Sequence, residues 1–96
     1  MVTHVVFIKV KNRTPEDIEK AHDLLQSMDG KVPQLRYLEV GVDLLRGQHT
    51  YDLVLLAKFD SMKDLQAYKS HPFHAEVLEE LRPLCEQIAA VDYKST

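Results

Sequence analysis

Apolar and polar positions follow two different periods along this chain, and the changes of period mark its elements. "HVVFIKV", inside Val2 to Lys11, is rich in β-branched and aromatic residues and reads as a first strand. "NRTPED" then announces a helix. Thr14 suits the N-cap, Pro15 the first helical position, and Glu16 and Asp17 the positive end of the helix dipole. Ile18, Ala21, Leu25 and Met28 fall on one face of that helix, and Gly30 is placed to stop it. After Pro33, "LRYLEVGVDLL" is a second strand, "RGQHT" a polar turn with a glycine, and "YDLVLLAKF" a third strand, together predicting a hairpin. In "DSMKD", Ser61 caps the next helix, with Asp64 at its third position. Pro72 lacks an amide donor and keeps that helix from running straight on. A further helix is expected over about Pro72 to Leu81, ending near Pro83, before a last strand in "QIAAVDYK".

The order is βαββαβ with the second helix broken in two. It predicts the α+β class: a ferredoxin-like protomer with a four-stranded antiparallel sheet and its helices on one face. A sheet covered on one face should alternate, apolar inside and polar outside. These strands are apolar on both sides. Val2, Val6, Ile8 and Val10 point one way while Val5 and Phe7 point the other; Leu53, Leu55, Ala57 and Phe59 oppose Val54 and Leu56. The helices can cover only one side, and an apolar patch on the other calls for a partner. A second copy, sheet against sheet about a two-fold axis, is the simplest one, so a homodimer is expected.

Ninety-six residues suit one domain, residues 1–96, with a single core. The net charge of −3, from 15 acidic and 12 basic residues, offers no broad field for a phosphate backbone. The basic-glycine-aromatic signature of RNA-binding modules on this topology is missing from "YDLVLLAKF", so no nucleic acid is expected. No membrane is expected either, because the longest all-apolar run is Leu53 to Ala57. "MVTHVVFIKV" alternates like a strand and lacks the basic leader of a signal peptide. Cys85 is the only cysteine, which rules out an internal disulfide and makes a cytoplasmic setting the default.

The chemistry-bearing stretch is "YKSHPFH", Tyr68 to His74. His74 shares a helical face with Val77, Leu78 and Leu81 and points toward the core. Tyr68 closes the apolar face of the preceding helix after Met62 and Leu65, and His4 shares a strand face with Val2, Val6 and Ile8. These three proton-handling side chains can therefore meet between sheet and helices. A buried imidazole there stays neutral, as a general base must. The same spacing also fits a core histidine satisfied by a backbone carbonyl. His71, before Pro72, is placed as a helix cap, so that pair reads as a structural motif. His71 and His74 are spaced i, i+3, but no cysteine or carboxylate completes a zinc set around them. His22 and His49 fall on a polar face and in a turn.

The pattern resembles the stress-responsive dimeric α/β-barrel (Dabb) family. The resemblance rests on "HVVFIKVK", "KVPQLRYLEVGVD", "AYKSHPFHAEVLEELRPL" and the terminal "VDYK", and covers nearly the whole chain. It implies a ferredoxin-like protomer whose sheets pair into a barrel. One branch of the family, typified by olivetolic acid cyclase, performs a cofactor-free aldol cyclisation of a linear polyketide. By that resemblance His74 matches the catalytic histidine, Tyr68 the active-site tyrosine, His4 the first-strand histidine, and His71 the histidine before the proline. Some relatives hold a magnesium ion on backbone carbonyls after the first helix. Those positions fall at Asp29, Val32 and Leu35 here, and orphan carbonyls at a helix C-terminus suit a cation. Two function classes follow. One is a small-molecule binder or cofactor-independent cyclase, lyase or isomerase acting on an apolar carbonyl compound; the other is a non-catalytic stress-protective or structural homodimer. A cofactor-free monooxygenase of the wider barrel group is a third class. A cavity beside His74 favours the first, and a filled core the second.

Overall fold

The computed structural model describes residues 1–95. Its elements run β1 (Val2–Val10), α1 (Pro15–Gln26), β2 (Tyr37–Val42), β3 (Leu53–Phe59), α2 (Met62–Lys69) and α3 (Pro72–Leu81), then a short 3₁₀ turn (Arg82–Leu84) and β4 (Cys85–Lys94). The sheet order is β2-β3-β1-β4, with every pair antiparallel. This is the expected ferredoxin-like α+β arrangement.

The core lies between one sheet face and the helices. β1 and β3 present Val2, Ile8, Val10, Leu53, Leu55, Ala57 and Phe59 to Ile18, Ala21 and Leu25 of α1, Leu65 and Tyr68 of α2, and Val77 and Leu81 of α3. The opposite sheet face keeps its apolar residues in the open. In register across three strands, Val5 sits opposite Leu56 and Val91, and Phe7 opposite Val54 and Ala89. Phe7, Val91 and Tyr93 are exposed on that face. The two-sided strands are a property of the fold, not an error of parity.

The helix starts follow the expected chemistry. The hydroxyls of Thr14 and Ser61 accept the amides of Asp17 and Asp64. The first helix stops earlier than Gly30, because its last turn tightens. The amides of Met28 and Asp29 reach back three residues to Leu25 and Gln26, and Gly30 takes the left-handed conformation at φ 78° beyond them. Met28 remains buried outside the regular helix. Met62, expected on the buried face of α2, is exposed, whereas Leu65 and Tyr68 are fully enclosed.

The largest departure from expectation is the β2–β3 connection. No tight hairpin turn forms over "RGQHT"; β2 ends at Val42, and residues 43–52 make a loop closed at its neck by the Asp43 amide on the Asp52 carbonyl at 2.8 Å. Within the loop the Asp43 carboxylate accepts the Arg46 amide and the Thr50 hydroxyl. Asp52, fully buried, pins the neck to the end of β1 by accepting the Val10 amide and Arg13 Nε, both at 2.8 Å. Leu44 and Leu45 therefore stand out on the loop, 94% and 83% exposed, instead of extending β2.

Candidate functional site

Three elements bring His4, Tyr68 and His74 together. Tyr68, near the end of α2, is the hub: its ring centroid lies 4.6 Å from that of His74, 6.0 Å from that of His4, and 4.9 Å from that of Phe59. The break between α2 and α3 sets this geometry. The Ser70 hydroxyl folds back on the Gln66 carbonyl, and His71 becomes the N-cap of α3, its Nδ1 accepting the Phe73 amide at 3.1 Å. Pro72 takes the first helical position, where its missing N–H is no loss. His74 then lies one turn inside α3, facing Tyr68.

The three side chains have different surroundings. His4 is buried and its Nδ1 is hydrogen-bonded to the Asp92 carboxylate, whose other oxygen accepts Lys69 Nζ at 3.1 Å. Burial pushes the Asp92 carboxyl up, but the hydrogen bonds from His4 and Lys69 outweigh it and hold the group below the usual carboxylate range. Burial drives the Tyr68 phenol far above its ordinary range, so it is a neutral donor at any physiological pH. Among the described residues that donor meets only the Met28 thioether, at 3.6 Å, which is a weak acceptor. His74 is held below the ordinary imidazole value by burial and then by the charge of His4, against a backbone hydrogen bond of its ring at Lys69 that favours the charged form. Its Nδ1 is buried with no hydrogen-bond partner among the described residues.

These groups border a small, partly open cavity of about 40 Å³, walled otherwise by apolar side chains such as Val6, Leu55 and Val77. That is room for one or two waters, and well below the few hundred Å³ of an ordinary ligand pocket. The His74 imidazole, held toward its neutral form, and the neutral Tyr68 phenol both belong to its lining.

Asp92 and Lys69 are the residues that sequence reading missed. The signal was present. In β4 Ile88, Ala90 and Asp92 share one parity, and Asp92 pairs directly with His4 across β1. Parity combined with the sheet order places a carboxylate beside the imidazole. Met28, named only as core, also has a polar contact here.

The residues proposed for magnesium lie in the turns after α1, where Asp29 directly follows Met28 of this site. Val32 is buried, Leu35 half-buried and Asp29 exposed, and the Val32 carbonyl already accepts the Leu35 amide. In the same stretch Gln34 Oε1 is buried without a partner, an oxygen of the type that hard cations take. Among the described residues no group of three or more His, Cys, Asp or Glu gathers as a ligand set, and no helix is long and apolar enough to cross a membrane.

Comparison with known proteins places this geometry among relatives. The model of the family described as Dabb, stress responsive A/B barrel domain, matches residues 2–95. A stress-response A/B barrel domain-containing protein of Arabidopsis thaliana is 26% identical over 97% of this chain. The match takes in 36% of that plant protein, so the chain spans about a third of its relative's length. A dimeric protein of unknown function and ferredoxin-like fold from Bacteroides fragilis superposes with a TM-score of 0.83 at 25% identity, over 98% of this chain and 95% of that one. A hydroxynitrile lyase from Passiflora edulis shares the fold with a TM-score of 0.83 at 21% identity, over 99% of this chain and 93% of that one.

Proposed function

The chain belongs to the Dabb family of stress responsive A/B barrel domains, and from that premise we propose that it binds or converts a small, mostly apolar carbonyl compound in the cavity between sheet and helices. One observation carries the reading. Among the described residues the Tyr68 hydroxyl has only the Met28 thioether and the buried His74 Nδ1 has no hydrogen-bond partner, and both residues line one largely apolar cavity. Leaving buried polar atoms so poorly paired costs on the order of 1–3 kcal/mol each, and native cores avoid it unless the groups have another use.

The chemistry proposed for them is proton abstraction next to a carbonyl. Neutral His74 takes the α-proton through a ring nitrogen, the C–H electron pair moves into the carbonyl, and the enolate oxygen accepts the Tyr68 O–H. His4, hydrogen-bonded to Asp92, lines the same cavity with its ring centroid 6.0 Å from that of Tyr68 and assists from there. No redox cofactor is called for in such a step. The existence of a hydroxynitrile lyase on the same fold supports lyase-type chemistry on a protomer of this size. We also propose that the protein works as a homodimer through the open sheet face, as the Bacteroides fragilis protein of the same fold is dimeric, and that the carbonyls of Asp29, Val32 and Leu35 form a weak magnesium site.

The test is α-proton exchange in D₂O, followed by NMR on a panel of small ketones and aldehydes such as butanone and butanal. Wild-type protein should deuterate at least one of them faster than the folded His74→Ala variant does. Equal rates across the panel would leave the non-catalytic homodimer as the function.

A further inference from the structure

His74 and Leu78 line two spaces at once. On their inner side is the small cavity with Tyr68 and His4; on their outer side is an open cleft of about 370 Å³, shared with Lys69, Ala75, Glu79 and Arg82. The two residues are four apart on α3 and so stack on one helical face. Each is half-buried. They form part of the wall between the open cleft and the cavity, and Leu78 is its aliphatic member, outside the proposed proton transfer.

The outer side of this wall has its own chemistry. The protein as a whole is acidic, yet the cleft carries two cations, Lys69 and Arg82, against one carboxylate, Glu79. Lys69 is committed to Asp92. Arg82 pairs with no carboxylate among the described residues, and a guanidinium is built to take a carboxylate by two parallel hydrogen bonds. The cavity alone, with room for one or two waters, takes no more than the carbonyl group itself. Whatever places its carbonyl there must leave the rest of itself in the cleft.

Resting on the carbonyl-pocket reading above, we propose that the ligand is a keto acid or an equivalent carbonyl compound with an anionic end. It enters past Leu78 and is held by Arg82 at the rim while its carbonyl reaches His74 and Tyr68. Arg82 is then a specificity residue and Leu78 a door; neither takes part in the proton transfer.

The probes are 7-oxooctanoate and its methyl ester, titrated into the intact protein and followed by NMR at the Met28 methyl and the His74 ring protons. The acid should bind about threefold to fivefold tighter than the ester, in line with a partly solvated ion pair. In Arg82→Gln that preference should vanish through weaker binding of the acid, with the ester unchanged. Leu78→Ala should speed the association of both probes. Equal binding of acid and ester to the wild type, or a preference that survives Arg82→Gln, would overturn the anionic rim. Unchanged association rates in Leu78→Ala would overturn the door. Failure of both probes to shift Met28 and His74 signals would instead overturn the carbonyl pocket, and this proposal with it.

Discussion

Replacing Tyr68 by phenylalanine tests whether the hydroxyl serves the fold or a ligand. A buried hydroxyl with a good acceptor contributes about 0.5–1.5 kcal/mol, and its removal costs that amount. Here the acceptor is a thioether at 3.6 Å, so the bond returns little of what desolvating the hydroxyl costs. The ring contacts with Phe59, His4 and His74 do not involve the oxygen and survive the change. The balance lies between neutrality and a gain of about 1 kcal/mol, which for a domain of this size is a rise in Tm of roughly 4–8 °C at most. Urea unfolding of both proteins at one protomer concentration measures it, since dimer stability varies with concentration. The slope should be the same in both. In parallel, α-proton exchange should fall about 100-fold, the effect of removing one oxyanion donor. A loss of more than about 1.5 kcal/mol at constant slope would mean that the hydroxyl has a strong partner and is structural. Undiminished exchange would remove Tyr68 from the proposed chemistry.

Acid should weaken the fold in two stages. An unfolded imidazole takes its proton near pH 6.5, about the ordinary value, whereas His74 in the fold resists it, chiefly through burial. Between the folded and unfolded values the unfolded chain binds more protons, so stability falls as the pH drops below about 6.5 and then levels off. Asp92, held below the ordinary carboxylate value, stabilises fully above about pH 3.9 and loses that contribution as the pH falls through its folded value. Urea midpoints across this range should show both losses in the wild type, and only the second in His74→Ala; a first loss that persists in the variant has another source. Sedimentation at micromolar concentration should give twice the chain mass, and Val54→Lys, on the open sheet face beside Phe7, should dissociate or unfold the protein; a well-behaved wild-type monomer would refute the dimer. A chelator should change Tm little, because carbonyls and water hold magnesium weakly; a large drop would reveal a tight structural metal.

What was legible in the sequence depended on whether a residue's role is set by its neighbours in the chain or across the sheet. The caps at Thr14, Ser61 and His71 were readable because a cap acts on amides two or three residues away. The convergence of His4, Tyr68 and His74 followed from three face assignments, each made locally. The long β2–β3 loop was not readable. "VDLL" is apolar enough to continue a strand, and what stops it is Asp52, whose partners Val10 and Arg13 lie some forty residues earlier. Once that carboxylate is buried against β1, the loop neck is fixed and Leu44 and Leu45 have no strand to pair with. Asp92 escaped for the same reason, since a carboxylate in "VDYK" reads as solvated until β4 is known to lie beside β1. Yet these two aspartates do opposite things. Asp52 is enclosed and fully occupied by a backbone amide and an arginine, so its charge is used up in holding shape. Asp92 is partly open and joins a lysine to His4, a histidine that lines the cavity with Tyr68 and His74. A charge that fastens a fold ends its chain of contacts, whereas the chain through Asp92 and His4 continues to Tyr68 and on to His74, whose Nδ1 is buried without a hydrogen-bond partner among the described residues.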